Sequence, residues 1–362
     1  MLLGILNMGL YLLFILIARY LFKRFKQLSF IEKAKDKRIT KKMIVLLIVI
    51  SLFFMIFDTI NAIAVVSFML IFLKIFDFIF YLAKKISKKE VNGNLSFIFT
   101  IFVVISLLSY GYFLAHHIVE TDYTIYSKKD IGVNNLRIVQ ISDSHLGVTL
   151  NGKDFAYYMK EINKLKPDIV VVTGDFVDDS TKLKDMIKAT EALGKIKTKY
   201  GIYFIYGNHD KTYFKYRNFS DKQLRKALKK NNIIILEDDI VDITDDIYLV
   251  GRKDSGVARK DAETLTEKLD KNKYIICLDH KPDDYGNEVN AGCDLVLSGH
   301  THGGQFWPMG PLSLFLGIND SYYGKKMIDD TIFIVNSGIS DWKLKFKLGA
   351  ISEYVVIDIK NK

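Results

Sequence analysis

Short polar motifs that could bind metal ions recur after residue 140. They contain all five histidines of this part of the chain, and they read Asp143-Ser144-His145, Gly174-Asp175, Gly207-Asn208-His209-Asp210, Asp279-His280 and Gly299-His300-Thr301-His302-Gly303-Gly304. Carboxylate, amide and imidazole groups are ligands of divalent metal ions. Two imidazoles at positions i and i+2 can direct separate nitrogens at adjacent ions, and flanking glycines let the backbone approach closely. The residue types therefore predict a metal centre without thiolate ligands.

Apolar runs of strand type precede these motifs. We predict strands at 136–142, 168–173, 201–206, 247–250, 274–278, 294–298, 331–336 and 354–359, and helices at 154–166, 181–197, 220–231 and 260–271. This alternation is typical of an α/β domain. Five strands end at the motifs, and sites in open α/β sheets lie beyond the carboxyl ends of strands. We therefore expect the motifs to converge on one crevice.

The motifs and their order identify a known family pattern. Residues 137–360 resemble the calcineurin-like metallophosphoesterase superfamily, whose pattern is Asp-x-His, Gly-Asp, Gly-Asn-His-Asp/Glu, His and Gly-His-x-His. They are similar in particular to a membrane-linked bacterial branch related to UDP-2,3-diacylglucosamine hydrolases. The resemblance implies a four-layer α-β-β-α sandwich.

The same resemblance implies two divalent metal ions, either Mn, Fe or Zn, with separate ligands and one shared carboxylate. The ligands of the first ion would be Asp143, His145 and His302, those of the second Asn208, His280 and His300, and the bridging residue Asp175. A shared carboxylate offsets the repulsion between two cations about 3.5 Å apart.

The implied reaction is hydrolysis of a phosphodiester, pyrophosphate or phosphomonoester bond by a metal-bridging hydroxide. His209 would protonate the leaving oxygen and Asp210 would orient His209. The alternatives are a structural histidine beside a ligand and a helix cap. A second alternative for the whole domain is a non-catalytic metal-binding sensor or regulatory module on a membrane protein.

Two further pairs of residues could contribute to the domain. Arg252 and Arg259 lie in one loop of a chain that is poor in arginine, and they could clamp a phosphate or remain solvated surface charges. Cys277 and Cys293 lie at different distances from the histidines that follow them. An offset of about four residues, or ~13 Å, between straight strands predicts two free thiols rather than a disulfide.

The first third of the chain is apolar and basic. Residues 1–130 carry 17 Lys and Arg against 8 Asp and Glu, and the remainder is nearly neutral, which disfavours nucleic acid as a partner. Apolar segments near 2–22, 43–60, 62–83 and 95–115 have the length of membrane-spanning helices, and Lys74 and Asp77 could form a pair within the third. We predict a transmembrane region at 1–118, a linker at 119–134 and the metallophosphoesterase domain at 135–362.

The distribution of lysine and arginine predicts the orientation of this multi-pass region in the cell membrane. The basic segments 23–42 and 84–89 belong in the cytoplasm, so four spans place the metallophosphoesterase domain on the extracytoplasmic face. We expect membrane lipids and a phosphorylated lipid or small molecule as partners. The apolar stretch 305–325 could contact the bilayer or a lipid chain, or it could be a packed loop.

Overall fold

The computed structural model describes residues 16–17, 19–20, 23–24, 59–88, 95–212 and 217–362. The chain divides into two compact units, one ending at Tyr110 and one running from Gly111 to Lys362.

Two long apolar helices dominate the described part of the first unit. Helix α1 (Thr59–Ser87) and helix α2 (Leu95–His116) each contain an 18-residue stretch with a mean hydropathy of 2.4 and 2.2, respectively, and both are long enough to cross a membrane. They coincide with the predicted spans at 62–83 and 95–115. The spans predicted near 2–22 and 43–60 lie outside the described residues, apart from 16–17, 19–20 and 59–60. The described residues therefore contain two candidate spans, not the predicted four.

Asp77 of α1 is held by polar partners other than the predicted Lys74. Its carboxylate accepts hydrogen bonds from Arg24 Nη2 and Ser96 Oγ, each at 2.6 Å. Lys74 Nζ instead donates to the Tyr20 hydroxyl at 3.3 Å.

The second unit contains two six-stranded mixed sheets. The strands are β1 (Val119–Ser127), β2 (Asn135–Ile141), β3 (Ile169–Thr173), β4 (Gly201–Ile205), β5 (Ile233–Ile235), β6 (Asp239–Thr244), β7 (Ile247–Gly251), β8 (Tyr274–Leu278), β9 (Leu295–Ser298), β10 (Gly324–Ile328), β11 (Thr331–Val335) and β12 (Glu353–Asn361). The strand orders are β1-β12-β2-β3-β4-β5 and β10-β11-β9-β8-β7-β6. The eight predicted strands are confirmed. Strands β1, β5, β6 and β10 are additional, and all four lie at sheet edges, where a two-sided apolar pattern is weak.

Helices cover the outer face of each sheet. They are α3 (Gly152–Lys164), α4 (Leu183–Leu193), α5 (Asn208–Thr212), α6 (Asp221–Lys230), α7 (Ala262–Thr266), α8 (Tyr285–Asn290) and α9 (Met309–Phe315). Residues Ile138 and Leu297 belong to a core between the sheets, whereas the neighbouring Val139 packs with residues of α3, α4 and α6. A third core packs the second sheet against α7 and α8. The layers are therefore helix, sheet, sheet and helix.

Residues 119–134, predicted as a linker, belong to the folded unit. Strand β1 pairs in parallel with β12 along nine residues, and Ile125 and Ile131 are buried. The prediction was wrong because β1 alternates polar and apolar residues beside a long apolar helix, so its short apolar face was not recognised.

Cys277 and Cys293 form a disulfide, so the prediction of two free thiols was also wrong. Their Cα atoms are 6.1 Å apart. Strand β9 begins only at Leu295, and the Cys293 N–H donates to Glu288 O in the turn before it. Cys293 therefore belongs to the turn before the strand, and the straight-strand estimate of the separation does not apply.

The pairing of β1 predicts where the second unit can be shortened. A fragment of residues 118–362 should melt at least about 5 °C higher than a fragment of residues 135–362, because the latter loses Ile125 and exposes the edge of β12. Thermal unfolding monitored by circular dichroism measures the difference. Equal melting temperatures would show that β1 adds nothing to the fold.

Candidate metal centre

The first group of metal-ligand side chains consists of Asp143, His145 and His302. Asp143 and His145 follow β2, and His302 follows β9, so the group joins the two sheets. The Nε2 atoms of His145 and His302 are 3.2 Å apart, and they lie 4.0 and 3.7 Å from Asp143 Oδ1. All three residues are buried. The sequence motifs that supply them are 159 residues apart at most, and the structure brings them together as predicted.

The second group consists of Asp175, His280 and His300, with Asn208 beside it. His280 Nε2 lies 3.3 Å from both Asp175 Oδ2 and Asn208 Oδ1. The rings of His280 and His300 are 5.0 Å apart. These residues follow β3, β4, β8 and β9, so together with β2 the carboxyl ends of five strands converge on the same edge.

Asp175 belongs to the second group but also reaches the first. Its Oδ2 atom is 3.5 Å from His145 Nε2 and 3.3 Å from His280 Nε2. Its Oδ1 atom accepts a hydrogen bond from the backbone N–H of His209 at 2.8 Å, which fixes the carboxylate in place. One carboxylate therefore reaches both groups.

Backbone carbonyls orient two of the imidazoles. His280 Nδ1 lies 2.8 Å from Thr173 O, and His302 Nδ1 lies 3.2 Å from Ser340 O. Each contact directs Nε2 into the centre, which is how carbonyl groups commonly position histidine ligands.

The backbone at the centre is held in a conformation that side chains disfavour. Five of the predicted ligands have positive φ, namely Asp143, His145, Asp175, His300 and His302, with values from 32° to 71°. Such residues are uncommon and cluster at functional sites when the surrounding fold maintains them. Close packing contributes here, because a Cβ atom at Gly174 would lie 2.5 Å from His280 Nδ1 and 2.7 Å from the Gly207 nitrogen.

The electrostatics of the centre favour added positive charge. Burial lowers the pKa of His280, but the Asp175 carboxylate outweighs this and raises the pKa to about 10. Burial and the charge of His280 lower the pKa of His300 to about 3, and burial with His145 lowers the pKa of His302 well below its usual range. Near neutral pH, His300 and His302 are thus uncharged imidazoles that can ligate a metal ion, and His280 holds a proton that a bound cation would displace.

These residues fit divalent metal ions. Two acceptor-capable imidazole nitrogens face each other at 3.2 Å beside buried carboxylates, which is unfavourable without a proton or a cation between them. The donor set of carboxylate, amide and imidazole suits Mn, Fe or Zn, and it contains no thiolate.

Comparisons with known proteins agree with this chemistry. Residues 136–304 match the family model described as calcineurin-like phosphoesterase. A metallophosphoesterase of Aquifex aeolicus is 29% identical over 267 residues, which cover 72% of this chain and 99% of that protein. The metallophosphoesterase YkuE of Bacillus subtilis is 27% identical over 266 residues, which cover 70% of this chain and 90% of that protein.

Residues 136–304 form a calcineurin-like phosphoesterase domain. The protein is a metal-dependent phosphoric ester hydrolase. A bovine transmembrane protein with a metallophosphoesterase domain is 28% identical over 240 residues, which cover 61% of this chain and 52% of that protein. The apolar helices and this similarity indicate that the phosphoesterase is associated with a membrane.

The phosphoesterase positions His209 with a residue that the sequence analysis missed. His209 Nδ1 lies 3.2 Å from Asp178 Oδ1, and Asp178 Oδ2 lies 3.4 Å from His145 Nδ1. Burial raises the pKa of Asp178, but its contacts with these imidazoles outweigh this and hold the pKa well below its usual range. The only sequence feature that could have pointed to Asp178 is its position three residues after Asp175.

Asp210 does not orient His209, and this prediction was wrong. The Asp210 carboxylate instead accepts hydrogen bonds from the backbone N–H groups of Phe176, Val177 and Gly207 at 2.9 to 3.0 Å. It ties the loop after β3 to the loop after β4 and so supports the two segments that carry Asp175 and Asn208.

Arg252 and Arg259 lie in an internal ion-pair network, so neither a phosphate clamp nor a solvated surface charge describes them. Arg252 is 1% exposed and contacts Asp279, Asp284 and Glu288 at 2.7 to 3.3 Å. Arg259 contacts the first two of these acids. The network anchors Asp279, which immediately precedes His280.

A second buried ion pair lies behind His302. Lys347 Nζ is 3.0 Å from Asp341 Oδ1, both side chains are fully buried, and Asp341 Oδ1 is 3.8 Å from His302 Nδ1. No motif in the sequence marks this pair, because its members lie in a loop far along the chain.

Replacing Asp178 tests its effect on His209. In Asp178→Asn, the kcat should fall about 10- to 100-fold because His209 Nδ1 loses its charged partner. Asp179→Asn is the matched control, since Asp179 pairs with Lys343. An unchanged kcat in Asp178→Asn would contradict the assignment.

Replacing Arg252 tests whether its role is structural. In Arg252→Met, the buried Glu288 loses its contact with a guanidinium and Asp279 keeps only Arg259, so the unfolding free energy should fall by about 3–5 kcal/mol. Burial raises the pKa of Glu288 well above its usual range, so its contribution to stability is lost as pH rises through that value. The stability loss in the variant should therefore be larger at pH about 8 than at pH about 5.

Arg259→Met is the control, because Arg252 continues to neutralise the same acids. The unfolding free energy of Arg259→Met should fall by only about 1 kcal/mol. Thermal melting measures both effects. If Arg252→Met instead raised the KM without lowering the melting temperature, a substrate-binding role would replace the structural one.

Proposed function

We propose that the protein is a membrane-anchored phosphoesterase with two metal ions, which hydrolyses a phosphodiester, pyrophosphate or phosphomonoester bond. The observation that carries the proposal is the position of Asp175, within 3.5 Å of an imidazole from each ligand group. Two ion sites that share a carboxylate are suited to clamping the oxygens of a phosphoryl group.

In this proposal, each ligand group holds one ion. Asp143, His145 and His302 would hold the first, Asn208, His280 and His300 would hold the second, and Asp175 would be shared by both. The bound ions, either Mn, Fe or Zn, would supply Lewis-acid polarisation of the phosphoryl group and activate the attacking water.

His209 protonates the leaving oxygen. Its Nδ1 atom faces Asp178 at 3.2 Å, so a proton on the other ring nitrogen is the one available for transfer. The negative charge of Asp178 stabilises the protonated imidazole before transfer. Trp342 packs at 5.4 Å from the imidazole ring and limits its rotation.

The substrate is lipid-linked or belongs to the cell envelope, and the catalytic domain lies on the extracytoplasmic face. The basic segments 23–42 and 84–89 support a cytoplasmic location for the two loops between predicted spans. The Cys277–Cys293 disulfide supports an oxidising compartment for the domain. The relation to UDP-2,3-diacylglucosamine hydrolases stays a prediction from the motifs.

Two variants of the full-length protein test the mechanism. Asp175→Asn should lower the bound metal and abolish turnover, because the bridging anion is lost. His209→Ala should retain metal but lower kcat about 100-fold or more on phenyl phosphate esters. Its effect on para-nitrophenyl esters should be smaller, since that leaving group needs little protonation. Metal analysis and paired monoester and diester assays provide the measurements.

The control for these assays is Asp179→Asn, which changes a carboxylate outside the ligand groups. Equal losses by His209→Ala on both leaving groups would contradict a general-acid role. Metal binding by the wild type without turnover of any ester would favour the alternative of a sensor domain.

A further inference from the structure

An apolar loop follows the metal-ligand motif that contains His302. We define it as residues 306–318, which include α9. No charged residue occurs between Gly303 and Asp320, although a quarter of the chain is charged. A segment of this length without charge is expected to be covered by something other than water.

The large side chains of the apolar loop are exposed. The exposed fractions are 78% for Trp307, 54% for Met309, 85% for Phe315, 59% for Leu316 and 60% for Ile318. Soluble domains bury such side chains or cover them with a partner. The prediction that this stretch could be an ordinary packed loop is therefore wrong.

Backbone hydrogen bonds connect the apolar loop to the end of helix α2. The Lys347 N–H donates to Gly111 O at 3.1 Å, the Leu348 N–H donates to Gln305 O at 2.7 Å, and the Trp307 N–H donates to Leu348 O at 2.7 Å. Backbone segments joined by such hydrogen bonds lie about 5 Å apart. Two of these steps, from Gly111 to the 347–348 segment and from there to Trp307, place the Trp307 backbone about 10 Å from the helix backbone at Gly111.

The end of α2 itself presents aromatic side chains. Tyr112 and Phe113 are 57% and 51% exposed, and the helix to which they belong has the length and hydropathy of a membrane span. Aromatic residues at the end of a span lie at the membrane interface. The environment that surrounds Tyr112 and Phe113 therefore extends to the apolar loop.

We infer that the apolar loop inserts into the lipid bilayer beside the end of α2. Because the apolar loop begins four positions after His302 in the sequence, this insertion would bring the bilayer surface close to the metal centre. The inference rests on the membrane anchoring in the proposed function, but not on the chemistry at the metal centre. Lipids whose phosphate lies at the membrane surface are then the substrates that reach the centre while their acyl chains stay in the bilayer.

The two tryptophans of the chain provide a direct test. Trp307 lies in the apolar loop and Trp342 lies beside His209, so Trp342→Phe and Trp307→Phe each leave one reporter. The full-length variants are reconstituted into phosphatidylcholine vesicles with brominated acyl chains, which quench nearby indoles. Trp307 fluorescence should fall by about half or more, and Trp342 fluorescence should fall much less.

Weak quenching of Trp307, equal to that of Trp342, would overturn the inference. Blue-shifted but unquenched Trp307 emission would also overturn it and would indicate contact with a second copy of the chain. The readout needs no turnover. The inference can therefore fail while the proposed reaction stands, and the proposed reaction can fail while the inference stands.

A second measurement uses a pair of diesters with the same leaving group. Ethyl para-nitrophenyl phosphate is soluble, and hexadecyl para-nitrophenyl phosphate is held in vesicles. Phe315→Ser should lower turnover of the vesicle-held ester about tenfold and leave the soluble ester unchanged. Tyr126→Ser is the control, because Tyr126 is 63% exposed but lies at the far end of β1. Equal losses on both esters would overturn the inference.

Discussion

The shared position of the Asp175 carboxylate is the constraint on which the centre depends. It lies within 3.5 Å of one imidazole from each ligand group, His145 after a strand of the first sheet and His280 after a strand of the second. A buried anion in that position is stable only if cationic or proton-donating partners surround it. The parts of the fold around it keep those partners in place: a backbone N–H holds one oxygen, and the Thr173 carbonyl and Asp178 turn His280 and His145 towards the other.

The backbone at the ligands shows what this arrangement costs. Five non-glycine residues at the centre adopt positive φ, and each such residue costs of order 1–3 kcal/mol. Two buried cores on either face of the first sheet, and a third on the second sheet, supply the stability that maintains them. Stability is therefore concentrated in the strands, and the strained residues lie just beyond the strand ends.

Charged residues near the centre divide into those that face its imidazoles and those that support the fold. The Arg252 guanidinium looks like a phosphate ligand in sequence, but three acids enclose it away from the centre. Asp210 is adjacent to His209 in sequence, yet its carboxylate binds backbone N–H groups of two loops. Asp178, one strand away, is the acid that faces the imidazole.

The sequence by itself predicted eight of the twelve strands, the α/β class and seven candidate ligand residues, which the structure brings together. Apolar runs and the motifs that end them are local, and the rule that sites lie beyond strand ends is independent of the details of packing. Tertiary structure decided the partners of Asp178, Asp210 and Arg252, the disulfide, and the pairing of β1 with β12. These depend on which side chains loops and edge strands bring together. No local period encodes such contacts, because the residues involved are far apart in the chain and meet only when the two sheets pack.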